Sequence, residues 1–556
     1  YALFNRASDY APNGTFIYDA LHIGTSAHNY QGVFSYPDFV AEFESVLDPA
    51  RKPANVGPGQ GFGDGAFVDR DAGNEFDFTN VHFVPFIPNT TGSSPMTQSI
   101  LTIVNYPPNG IPLANETAGV LVRYYDSSGA FQRQENFYLA ENASRDLVNP
   151  LAQGGSAVIF SSEQVGAIAS YNSDYSCCYY GAAYPSESYP ARTLYAPFLT
   201  KGVPYNFSGW YQTTEMILFN FSGQNASVEV AYYNGTPNAS PGEARNTYTI
   251  PAYGSLRVAS TNLPSSWSAG SGVLASAVIH SNTPLSGMVR NLIGDADAQG
   301  VVYRIRAESN YRIFTTRGKN KMFTPLLKTG GTDNYSSSVI VQNTGETPVS
   351  FYFLFTPAGT SNGVYSPGVF TLPPKTMKVY SVSDYVSPGF SGTATLNLTT
   401  DPSVGTVALI AQVISSQGAE ANEGIPDGIH WYQKRKDAVI IPFLPNQYQA
   451  GSTDWHSEFD VVNKDAAQDD YVHIDYHNPD GGVSKTIPNR LVREDSCIHY
   501  EGNNDLPGPN PPAAFSGSAA VLGTNLKHLG ATVQINRWGK RGVSYHDILM
   551  GYSAWW

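Results

Sequence analysis

Apolar and polar residues alternate in four stretches of the chain that each run into an asparagine: LTIVN at Asn105, MILFN at Asn220, VIVQN at Asn343 and FDVVN at Asn463. A period of two places one side of a strand in a core, and the asparagine with the residues behind it supplies a turn. A second, aromatic strand follows each time: GVLVRYYD, VEVAYYN, VSFYFLF and YVHIDYH. Three copies continue into an apolar-proline edge (YTIPAYG, FTLPPKT, KTIPNRL), where proline suits a strand end, and the other has NFYLAEN. Each copy finishes with a small-residue entry into two more strands, as in GVLASAVIHSNTPLSGMVRN, which reads as a hairpin or a sheet-to-sheet crossing.

The same order of events is preceded each time by an apolar-proline opening, at Pro85, Pro197, Pro325 and Pro442, spaced by 112, 128 and 117 residues. Six or seven short strands per copy, with turn signals every 8–12 residues, predict an immunoglobulin-like β-sandwich. The expected fold is therefore all-β: four tandem immunoglobulin-like β-sandwich domains at 83–190, 191–320, 321–436 and 437–540, with a less regular N-terminal extension, 1–82, and an apolar C-terminal tail, 541–556.

In SSSVIVQNTGETPVSFYF and GWYQTTEMILFNFSGQNASVEVAYYN the chain resembles the tandem immunoglobulin-like β-sandwich repeat proteins of prokaryotic cell surfaces. The resemblance covers residues 83 to about 540 and rests on packing and turn residues. It implies a surface-layer, adhesive or filament-forming role and no catalytic residues.

Charged residues are 14% of the chain, against about 25% in an average soluble protein, while Tyr, Phe, Gly and Pro are abundant; this mixture favours strands and turns over long amphipathic helices. A formal charge of −14 without a basic face argues against a nucleic-acid partner. No apolar run is long enough to predict a membrane span. The chain begins at Tyr1, which fits a mature product after signal-peptide removal, so an extracellular or cell-surface location is expected.

Sequons at Asn13, Asn89, Asn115, Asn142, Asn206, Asn220, Asn225, Asn234, Asn238, Asn334 and Asn397 make covalent glycans the expected modification. Three cysteines are too few for a disulfide framework, and Cys177 or Cys178 could pair with Cys497. His473, Asp475 and His477 share one face of a predicted strand and are a weak metal set, against an ordinary polar face. Asp69, Asp71, Asn74, Glu75 and Asp77 offer calcium-type oxygens without the order of an EF-hand, so a solvated turn is the expectation and calcium the alternative. Apart from that possible calcium, no cofactor is predicted. GPGQGFGDG lacks the strand and helix of a dinucleotide site, and HExxH, GxSxG and Walker motifs are absent, so no enzyme is predicted.

The tail, DILMGYSAWW, stands where the other copies have an aromatic linker, yet no fifth opening follows. Two readings result. Ile548, Leu549, Met550, Tyr552, Trp555 and Trp556 could dock on a neighbouring copy near Tyr1, Leu3 and Phe4, building a homopolymer head to tail, or they could fold back on the fourth domain. The first predicts a secreted structural subunit of a filament or surface assembly, a stiff rod of domains; the alternatives are a monomeric adhesin or carbohydrate-binding surface protein, and a viral tail or capsid component.

Overall fold

A computed structural model describes residues 17–18, 32–33, 80–88, 96–105, 117–163, 165–174, 179–186, 190–205, 209–268, 272–314, 321–331, 334–360, 363–400, 406–415, 419–423, 425–426, 438–446, 448–449, 454–464, 468–501, 505–507, 515–523, 529–538 and 546–554. The fold is all-β, built of small antiparallel sheets, and among the described residues no helix is long and apolar enough to cross a membrane. In the extension, Ile17–Tyr18 pairs with Gly32–Val33.

Each sequence repeat supplies two facing layers. In repeat 1 one sheet runs Asn80–Ile87, Gly155–Ser161, Ala118–Tyr125, Phe131–Leu139, and the other Tyr179–Pro185, Val165–Asp174, Met96–Asn105, Ser144–Val148. Val84, Val120, Val122 and Ile159 from the first meet Leu101, Ile103 and Ala167 from the second in one buried cluster. Repeats 3 and 4 keep this order. In repeat 2 a single 24-residue strand, Val273–Ala296, runs through both layers and fuses them into one seven-stranded sheet. The small-residue segment of every repeat is thus a crossing between layers, and its two halves never pair as a hairpin. Period-2 burial drives the layering: Phe351, Phe353 and Phe355 all point inward in repeat 3, the first two against the Tyr380 ring and the third against Tyr385, each such burial being worth about 1.5–3 kcal/mol.

Two devices recur at the positions the sequence repeats. The terminal asparagine is a clamp: its amide nitrogen donates to carbonyls of the next turn and of the edge strand, Leu139 and Ala140 for Asn105, Gln224, Ile250 and Pro251 for Asn220, Thr347, Leu372 and Pro373 for Asn343, and Gln468 and Val492 for Asn463. Buried carbonyls left without donors would cost more than the bonds gain in water, which accounts for an asparagine at each of these points. The opening proline, which has no N–H for the ladder, sits in a bulge; the register of the opening strand jumps between Val84 and Ile87, Ala196 and Leu199, Thr324 and Leu327, and Ile441 and Leu444.

The repeats do not stand in a line. The opening strand of each packs on the back of the asparagine-strand layer of the next: Asn80–Ile87 on repeat 2, Ala191–Pro204 on repeat 3, Lys321–Lys328 on repeat 4, and Ala438–Asn446 on repeat 1. The residue two before the opening proline marks each seam. Phe83 packs on Phe221 with ring centroids 4.1 Å apart and the rings tilted by 30°, Tyr195 joins Ala408, Phe323 joins Val462 and Cys497, and Ile440 joins Val104. Repeat 4 also meets repeat 1 through the Ser144 N–H, which donates to the Pro479 carbonyl (3.0 Å). Gly481 (φ +90°) lies so close there that a Cβ would fall 2.3 Å from the Glu141 carbonyl. Four seams in cyclic order close the chain into a ring with approximate four-fold repetition, in place of the expected rod.

The last strand of each repeat lies beside its counterparts: Tyr179–Pro185, Val302–Arg312, Ala419–Glu423 and His546–Ala554 neighbour one another in a closed cycle. The described part of the tail, His546–Ala554, therefore forms a strand of the fourth repeat. It pairs with Leu529–Trp538 of its own chain, Ile548 opposite Arg537, Leu549 opposite Asn536, Met550 opposite Ile535 and Tyr552 opposite Val533. Within the segment expected as a tail, 541–556, His546–Ala554 is thus a strand paired in its own chain. Trp555, Trp556, Tyr1, Leu3 and Phe4 lie outside the described residues.

Asn343→Ala is expected to lower unfolding stability by about 2–4 kcal/mol in urea titration, because three buried or half-buried carbonyls lose their donor. Asn238→Ala, at an exposed position, should change it by about 1 kcal/mol or less, the cost of placing alanine at a left-handed φ of +61°.

Candidate functional site

The densest chemistry among the described residues lies at the seam between repeats 3 and 4, and a local difference in repeat 3 explains it. In repeats 1 and 2 the bulged amide after the proline is held by a tyrosine of the closing strand: Phe86 N–H donates to Tyr184 Oη (3.0 Å) and Phe198 N–H to Tyr311 Oη (3.2 Å), and each hydroxyl donates back to the same residue's carbonyl. The equivalent register position in repeat 3 is Asn422, and the Leu326 amide turns instead to Asp460 Oδ2 of repeat 4 (2.8 Å). Leu326 holds a left-handed φ of +64°, unusual for a branched residue, so that amide bond pins a strained bulge to the neighbouring repeat.

A buried carboxylate there demands cations. Alternation along Asp454–Asn463 puts Glu458 and Asp460 on the outer face, and Cys497–Glu501 pairs alongside, setting Glu501 opposite Glu458 and His499 opposite Asp460. His499 Nδ1 lies 2.6 Å from Asp460 Oδ1, and its Nε2 lies 3.3 Å from both Glu458 Oε2 and Glu501 Oε2. Lys328 of repeat 3 reaches across to Glu458 and to Gln534 Oε1 (3.1 Å).

Burial alone would lower the His499 pKa, but the hydrogen bonds and charges of Asp460 and Glu458 overcome it and raise it to about 10. Burial likewise opposes the Glu458 carboxylate, yet Lys328 and His499 bring its pKa down to about 2. Glu420, fully buried nearby, is pushed well above the carboxylate range by desolvation, against the pull of Lys328. Burial and Asp460 push the Cys497 thiol up, so it is a poor nucleophile.

The seam between repeats 1 and 2 solves the same problem with arginine. Arg290 grips Glu308 through Nε (2.6 Å) and Nη2 (2.8 Å), Tyr171 of repeat 1 donates to Glu308, and the guanidinium stands over the Phe86 ring at 4.8 Å. Both clusters link repeats, and in the first the Cys497 thiol also donates to Asp460 Oδ2 at 3.5 Å.

The residues singled out from the sequence fare differently. His473 Nε2 meets Asp475 Oδ2 at 2.9 Å on a half-exposed face, whereas His477 is buried with Nδ1 on the Gly481 carbonyl (3.2 Å), so the three do not converge. Cys497 is a free, buried thiol rather than half of a disulfide; Cys177 and Cys178 lie outside the described residues, as do Asp69, Asp71, Asp77, Asn13, Asn89, Asn115 and Asn206. Asn220 is fully buried with its nitrogen given to three carbonyls, and Asn234 is buried with its nitrogen on the Ser240 carbonyl; glycans at either conflict with the fold. Asn225, Asn238 and Asn334 are exposed, and Asn142 and Asn397 half-buried. Sequence reasoning passed over Glu458, His499 and Glu501. Their one local signal is the acidic pair ahead of Asn463, where the other repeats carry Ile100 and Thr102, Glu215 and Ile217, or Ser338 and Ile340.

No protein-family model matches the chain, and no curated protein matches it.

His499 has a folded pKa raised above its unfolded value, so its contribution is full below about pH 6.5 and fades as pH rises towards 10. His499→Gln should therefore lower thermal stability most at pH 6, by a few kcal/mol, with the difference from wild type shrinking steadily up to pH 10.

Proposed function

We propose that each repeat is an immunoglobulin-like β-sandwich and that the chain is a structural subunit of an extracellular surface assembly, with no catalytic role. The observation that carries this reading is the cyclic packing of the four repeats, in which repeat 4 covers repeat 1 as repeat 3 covers repeat 4. Rigid mutual orientation is what a building block needs, and here the buried charges of two seams serve that end. The low charge content and exposed sequons at Asn225, Asn238 and Asn334 support an extracellular, glycosylated surface.

Copies join through surfaces other than the strand His546–Ala554, whose hydrogen bonds run to Leu529–Trp538 of its own chain along one side. The extension 1–79, with Tyr1, Leu3 and Phe4, is the proposed linking segment. A second reading, a carbohydrate-binding surface protein, is favoured by Tyr138, Tyr303 and Tyr365, each about 60% exposed and able to stack on sugar rings.

Negative-stain images of the concentrated full chain should contain ordered fibres or sheets that vanish when residues 1–79 are removed. Monodisperse particles of single-chain mass at every concentration, together with glycan-array binding, would instead establish the second reading. Removing residues 546–556 should lower the stability of repeat 4, because Leu529–Trp538 loses its outer partner.

A further inference from the structure

We propose that Glu458, His499 and Glu501 form a binding site for a divalent transition metal of the zinc type, placed on the flank of the seam between repeats 3 and 4. One ligand atom from each of the three lies within 4.8 Å of the others, the only such His, Cys, Asp or Glu grouping among the described residues. His499 Nε2 stands 3.3 Å from an oxygen of each glutamate. In a tetrahedral site with bonds of about 2.0–2.1 Å, neighbouring ligand atoms are separated by about 3.3 Å, which the two histidine–glutamate distances match, while the two glutamate oxygens, within 4.8 Å of each other, are closed up by the exposed Glu501 side chain.

The surroundings prepare those atoms. A metal-binding imidazole needs its other nitrogen held as a donor, and His499 Nδ1 faces Asp460 Oδ1 at 2.6 Å, while Asp460 is itself fixed by the Leu326 amide. Lys328 occupies Oε1 of Glu458 and leaves Oε2 turned to the site. Glu501 is 68% exposed, which opens the fourth position to water and gives an ion its way in.

The donor set selects the metal class. Imidazole with carboxylates suits zinc-like ions, whereas calcium and magnesium take oxygen ligands, so the site differs from the calcium set considered for Asp69, Asp71 and Asp77. Charge is balanced as well: in the free protein Glu458, Asp460 and Glu501 face Lys328 and the His499 imidazolium, and a divalent ion that displaces the Nε2 proton to solvent offsets the two negative charges then left over. Glu420, the Cys497 thiol and Tyr335, whose ring centroid lies 5.2 Å from Lys328 Nζ, also face this corner, and burial keeps Glu420 and Cys497 protonated.

The test is calorimetric titration of the EDTA-treated full chain with zinc chloride at pH 7.5. Wild type should bind with micromolar or tighter affinity. Glu501→Gln, at an exposed position, should weaken binding at least about tenfold while leaving metal-free thermal stability unchanged, and zinc should raise the melting temperature of wild type but not of this variant. His473→Gln should leave the affinity unaltered. Absence of micromolar binding by wild type, or equal affinity in Glu501→Gln, overturns the proposal.

Discussion

The outer face of the asparagine-strand layer has to be covered. A two-layer β repeat buries one face of each sheet against the other, yet here the backs are apolar as well: Ile168 in repeat 1, Ile217 and Met288 in repeat 2, Ile340 and Ile410 in repeat 3. Each of these residues belongs to the hydrophobic cluster of the preceding repeat, with Ile168 of repeat 1 completing that of repeat 4. Left bare, such faces would invite aggregation. Cyclic packing covers these three apolar backs, and at repeat 4 the face that carries Glu458, Asp460 and Val462, without leaving a first or a last member exposed.

Approximate four-fold repetition leaves room for local solutions. Where a tyrosine of the closing strand holds the proline bulge, as Tyr184 and Tyr311 do, the seam needs no acid at that point. Where Asn422 replaces it, Asp460 from the next repeat takes over, and the buried carboxylate in turn recruits His499, with Lys328 satisfying its neighbour Glu458. One change of residue in repeat 3 thus accounts for a chain of polar groups in repeat 4, and the proposed metal site is the solvent-facing end of that chain.

Much of the layering was legible in the sequence, because period-2 alternation and the recurring asparagine and proline each reflect a local physical requirement. The ring was written less plainly. VIVQN alternates in the reading that places Val339 and Val341 inward, but Ile340 between them is equally apolar and equally buried. An uninterrupted apolar run in a strand signals burial on both faces, and that second face was the seam. Of the two readings of the tail, docking on a neighbour or folding back on the fourth domain, the strand His546–Ala554 takes the second, as the closing strand equivalent to segments that looked like linkers elsewhere. Glu458 and His499 come together only through strand pairing across about forty residues of chain, a distance at which spacing carries no information.

Ring closure is tested most directly by a distance between the first and last repeats. Spin labels at Arg145→Cys and Asp480→Cys, with Cys177 and Cys178 replaced by serine, sit one residue to either side of the Ser144–Pro479 hydrogen bond. In magnetically dilute samples of the monomer, pulsed dipolar spectroscopy should return a separation within about 25 Å, set by the chain geometry and the label tethers. Repeats strung end to end would hold those labels about 70 Å apart or more, two repeats of strand length intervening, and a distance of that size would contradict the account.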